Sequence, residues 1–79
     1  MTCDHAKALE LVKHGKWEEA HKLVQPHSDR ISCLIHGYLH RVEGDIGNAK
    51  YWYRRAEEDM PDNTLEQELS RLHEMIKSA

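Results

Sequence analysis

His36 and His40 stand four residues apart in a stretch whose apolar residues recur with a helical period. On a helix that spacing sets two imidazoles on one face, one turn apart, where they can share a metal ion. Where the same spacing serves peptide hydrolysis, a glutamate follows the first histidine as general base. Here Gly37 follows, and that chemistry is ruled out. A third ligand could come from Cys33, one turn before His36, or from His21 or His27 on the preceding segment and its loop. Seven histidines among 79 residues make such pairs easy to find. The competing reading therefore packs His36 and His40 between helices, with ring nitrogens bonded to neighbours such as Tyr51 or Glu43. A packed layer of that kind would titrate near neutrality and loosen its helix when protonated. His5, His14 and His73 fall near helix ends or on exposed positions and read as surface.

Other chemistries find less support. Cys33 and His36 could touch, but residues on one helix supply neither an oxyanion hole nor a substrate cleft. Ser28, Ser32 and Ser70 have no motif around them. Gly44-Asp45-Ile46-Gly47 is a helix-cap turn without the preceding strand that a phosphate loop needs. No catalytic activity is expected of the chain. Tyr51, Trp52, Tyr53, Arg54 and Arg55 could stack on single-stranded nucleic acid. Packing of Trp52 and Tyr53 in a core accounts for the same residues, and a formal net charge of −3 gives no bulk attraction to phosphates. Neither nucleic acid nor membrane is an expected partner.

The elements that must position these residues are helices. The first is expected from about Asp4 to His14, stopped by Gly15. The second runs from about Lys16 to Gln25, where Pro26 denies it further extension. Ser28 and Asp29 offer N-caps for the third. Its apolar stripe reads Ile31, Leu34, Ile35, Tyr38, Leu39 and Val42, at i, i+3, i+4, i+7, i+8 and i+11. Gly44 ends it, and Asp45 can cap a fourth helix carrying Ala49, Trp52, Tyr53 and Ala56, with Met60 one turn further and Pro61 closing the segment. Thr64-Leu65-Glu66-Gln67 has capping-box spacing ahead of a fifth helix with Leu65, Leu69, Leu72 and Ile76 on one face. The class is all-α, with about five short antiparallel helices.

Twenty-nine residues separate Gly15 from Gly44 and Ala20 from Ala49. Gly37, Ala49, Tyr53, Ala56 and Pro61 match, in order and spacing, the small, aromatic and proline positions of tetratricopeptide repeats. Residues 49–56 also resemble the second helix of Sel1-type repeats, and the segment from His36 to Ala56 resembles a group of short, uncharacterised helical proteins. The resemblance implies that Gly37 and Ala49 sit where two helices of a hairpin cross, and that Tyr53 and Ala56 pack toward the following helix. It divides a single domain, 1–79, into a degenerate hairpin over 4–27, a well-matched hairpin over 29–61 and a capping helix over 63–77. The family's large apolar positions are filled here by Cys33, His36 and His40, and the unit is shorter than the usual about 34 residues.

Seventy-nine residues form one domain with a thin core, burying about 60% of the surface of the unfolded chain. Two cysteines are too few for a disulfide scaffold. The start of the chain lacks the basic residues and apolar run of a signal peptide, and the cytoplasm is the expected compartment. About three solenoid units are normally needed to bury their faces. With roughly two and a half present, a closing partner is an expectation. The stripe of the third helix is then either core beneath the first or last helix, or a surface in which Ile31, Leu34, Tyr38 and Val42 meet a peptide, a protein or a second copy of the chain. The expected function is a protein–protein interaction module or small scaffold, with no cofactor. The alternative is a metal-binding domain holding zinc or another transition metal through His36, His40 and a third ligand among Cys33, His21 and His27. A second alternative is a non-catalytic subunit of an enzyme complex.

Overall fold

A computed structural model of the chain describes residues 2–78. It contains five helices: α1 (His5–Lys13), α2 (Trp17–Val24), α3 (Arg30–Val42), α4 (Ile46–Arg55) and α5 (Leu65–Ser78). There is no strand among the described residues. Every helix except α2 begins where a side chain satisfies a free backbone N–H. Asp4 Oδ1 accepts from Lys7 N at 3.0 Å, and Asp29 Oδ2 accepts from Ser32 N at 3.1 Å. At α5 the capping box closes in both directions: Gln67 N donates to Thr64 Oγ1, and Thr64 N donates to Gln67 Oε1, each at 3.0 Å.

Three helices end by one device. Gly15, with φ +72°, lets Lys16 N reach back to Leu11 O at 2.8 Å and Gly15 N to Val12 O at 3.0 Å. Gly44 repeats the arrangement, with Asp45 N on His40 O and Gly44 N on Arg41 O. This is the Schellman closure, whose left-handed residue is cheapest as glycine. The third instance departs from expectation. α4 stops at Arg55, well short of Pro61, because Glu57 takes the left-handed position at φ +62° and Glu58 N bonds Tyr53 O at 3.0 Å. Residues 57–64 are connection, with Met60 packed against the edge of the core.

α1 and α2 form one antiparallel hairpin, α3 and α4 a second, and α3 lies against all four other helices. The crossing of α3 and α4 is close. A Cβ at Gly37 would lie 2.7 Å from Cδ2 of Tyr53 and 3.1 Å from the carbonyl oxygen of Ala49, so only glycine fits. Leu9, Leu34, Ile35, Leu39, Tyr53 and Leu72 fill the interior. α5 packs on α3 and also reaches α1, which closes the array upon itself.

The apolar stripe of α3 is therefore mostly core. Leu34 and Tyr38 are buried beneath neighbouring helices and present no surface to a partner, which corrects their assignment as contact residues; Ile31 is half-buried and Val42 exposed.

One polar cluster is buried beside the core. Glu68 has no exposure, and its carboxylate accepts from Tyr53 Oη at 2.6 Å, Asn63 Nδ2 at 3.0 Å and Arg71 Nε at 2.8 Å. Burial alone would raise its pKa, but the donors from Arg71, Tyr53 and Asn63 outweigh burial and hold it below the usual carboxylate value. Arg71 also bonds Glu58, which pairs with Arg30, tying α5 to the connection after α4 and to the start of α3.

Candidate metal centre

α2 and α3 bring three histidines together. His36 and His40, one turn apart on α3, have ring centroids 5.0 Å apart and planes inclined by 24°. His21 comes from α2 and stands edge-on to both, at 4.6 Å from His36 and 5.4 Å from His40. A ligand atom from each of the three lies within 4.8 Å of the others. A tetrahedral zinc with Zn–N of about 2.0–2.1 Å needs nitrogens roughly 3.4 Å apart.

Two tryptophans fix the rings. Trp17 opens α2, donates its indole N–H to Leu39 O at 2.7 Å and stacks on His21 one turn later, with centroids 4.8 Å apart and planes 9° from parallel. Trp52 of α4 stacks on His36 at 3.8 Å and 12°. The histidines are thus a layer between two indoles, one from each hairpin. Arg55 lies with its guanidinium 4.8 Å from the Trp52 ring centroid.

Hydrogen bonding sets the chemistry of the ring nitrogens. His40 Nδ1 is 2.6 Å from Glu43 Oε1. An ionised carboxylate only accepts, so Nδ1 carries the proton and Nε2 is the nitrogen left for a metal. His36 Nδ1 is buried with no hydrogen-bond partner. A buried imidazole nitrogen without a partner costs about 1–3 kcal/mol, and a cation is one partner that would satisfy it. Burial, and then the nearby His21, His40 and Arg55, push the pKa of His36 down to about 4. Burial followed by His40 lowers that of His21, with Glu43 opposing. Both rings are neutral at pH 7, the state in which imidazole binds metals.

Of the ligands expected from sequence, His21, His36 and His40 converge, and Cys33 and His27 do not join them. The Cys33 thiol turns to Ser28 O at 3.6 Å, and burial raises its pKa, so it remains a buried thiol rather than a metal-binding thiolate. The packing alternative holds in part: His40 does bond Glu43, while His36 stacks on Trp52 and has no bond to Tyr51, which is exposed. His5 corrects its surface assignment, since its Nε2 lies 2.8 Å from Asp29 Oδ2 and 3.1 Å from Ser32 Oγ, linking α1 to the cap of α3. Sequence reasoning did not find the indole walls. The i, i+4 spacing of Trp17 and His21 was the available signal, but Trp52 on a different helix had none. Also unforeseen is a second, exposed set in which His40, Glu43 and Asp45 come within 4.8 Å of one another.

A surface hollow of about 470 Å³ between α1 and α2 is lined by Lys7, Leu11, Glu19, Lys22 and Leu23. No helix among the described residues is long and apolar enough to cross a membrane. No family model, curated protein or solved structure matches the chain.

Proposed function

We propose that the protein is a transition-metal-binding helical domain in which His21, His36 and His40 hold one divalent cation, zinc foremost. The observation that carries this reading is the convergence of three imidazoles from two helices, one with a buried, partnerless nitrogen. An all-imidazole donor set suits zinc, copper, nickel or cobalt and disfavours magnesium and calcium, which demand oxygen ligands. Glu43 orients His40 as carboxylates commonly orient metal-bound histidines. The hairpin of α3 and α4 has the packing plan of a tetratricopeptide-like unit, supported by the seat of Gly37 against Ala49 and Tyr53. In this proposal it serves as the frame for the site.

Native mass spectrometry of the chain titrated with zinc tests the proposal. One retained zinc per chain is expected, with loss of retention in His21→Ala and His36→Ala. A wild-type chain that retains no metal, or variants that retain it equally, would count decisively against the site.

A second reading, contact with a protein partner or with another copy of the chain, has one supporting observation. Val42 and Ile46 flank the turn between α3 and α4 and are 42% and 43% exposed. In the same spectra, a dimer lost in Val42→Glu would support that reading.

A further inference from the structure

We infer that a cation held by His21, His36 and His40 keeps one coordination position open to exchange with small anions. The inference rests on the metal reading above and deepens it.

Zinc and cobalt at a site of this kind take at least four ligands, and three protein ligands plus an exchangeable one distinguish reactive sites from closed structural ones. The chain supplies three. Among the described residues no fourth His, Cys, Asp or Glu joins the set. Cys33 Sγ is turned to Ser28 O, and Glu43 meets His40 at Nδ1 without joining the three-histidine set. Trp17 has only an N–H, already donated to Leu39 O, so the walls offer no lone pair. The remaining ligand must come from solvent.

Access and charge select what it is. His36 and His40 are buried, at 2% and 7% exposure, while His21 is half-buried, so the site meets solvent on the α2 side. Trp17 and Trp52, stacked on His21 and His36, put indole faces against the rings. Imidazole donors bring no negative charge to offset the cation, and Arg55 adds positive charge near His36. The Glu43 carboxylate meets His40 at Nδ1, leaving Nε2 as the nitrogen for the cation. A small monodentate anion, such as a carboxylate or a hydroxide derived from bound water, fits this position better than a neutral molecule.

Visible absorption of the full chain loaded with cobalt(II) separates this inference from the reading beneath it. Tetrahedral cobalt bound by the three histidines gives intense d–d bands, and azide should shift them along a saturable isotherm, with acetate acting in the same way. Bands that azide and acetate leave unchanged would overturn the open position while leaving the metal site intact. A response that appears only in Glu43→Gln would also overturn it, by naming Glu43 as the fourth ligand. Absence of d–d bands at any cobalt concentration would remove both the site and the inference.

Discussion

His36 carries the strongest residue-scale consequence. Its pKa is held near 4 in the fold by burial and by the neighbouring His21, His40 and Arg55, against an ordinary 6.5. Between those values the unfolded chain takes up a proton that the folded chain refuses. Stability therefore falls as pH drops from 6.5 toward 4, at up to roughly 1.4 kcal/mol per pH unit for one such group. The His21 shift has the same sign. Urea midpoints should be lower at pH 5 than at pH 7 and unaffected by these groups above pH 7; equal midpoints would mean that the fold accommodates the charged ring. Glu57 gives the opposite case. A non-glycine residue in the left-handed region stores about 1–2 kcal/mol of strain. Glu57→Gly should raise thermal stability by about 1 kcal/mol, less the extra freedom glycine has when unfolded, and calorimetry would read it directly.

At the scale of elements, the crossing of α3 and α4 is the least forgiving contact. Gly37→Ala drives a methyl into the Tyr53 ring and the Ala49 carbonyl, and since the carbonyl is backbone the helices must separate. A loss of about 1–3 kcal/mol is expected, the range for overpacked cores, measurable as a fall in the urea midpoint. The glycine was legible from sequence because it stands opposite Ala49 at repeat spacing. The Thr64 capping box was legible for a similar reason: the rule is local, and both partners lie within four residues. The end of α4 was not. Its closure depends on Glu57 adopting a conformation that glutamate rarely takes, and Pro61 offered a more conspicuous but incorrect stop. Glu68 was equally hidden. A glutamate in a helical run reads as surface, and only the three-dimensional meeting of Tyr53, Asn63 and Arg71 makes its burial tolerable. At the site, His36 and His40 could be paired on α3 alone. Choosing His21 over Cys33 required knowing how α2 lies on α3.

For the whole molecule, the contact between α5 and α1 decides the character of the domain. An open repeat array exposes a groove and can be lengthened; here the last helix returns to the first, and Leu34 and Tyr38 are core. The Cα radius of gyration is 11.1 Å, with extents of 27 × 25 × 23 Å, close to isotropic. A globule this small has little core to spare, so a bound cation should weigh heavily in its stability. With free zinc at 100 times its dissociation constant, linkage adds about 2.7 kcal/mol. For a domain of this size that corresponds to a rise in melting temperature of roughly 10 °C or more. A thermal scan with and without zinc checks this, and His40→Ala should abolish the difference.

The division of the triad between helices has a kinetic side. Two of the three imidazoles ride on α3, which every other helix braces, while His21 rides on the eight residues of α2. Brief detachment of α2 would leave a two-legged perch on α3 and a free third arm, giving an ion a way in and out without unfolding the rest. Occupancy would then act as a latch. The amides of α2 should exchange with deuterium far more slowly in the loaded protein, while those of α3, packed against every other helix, should hardly change.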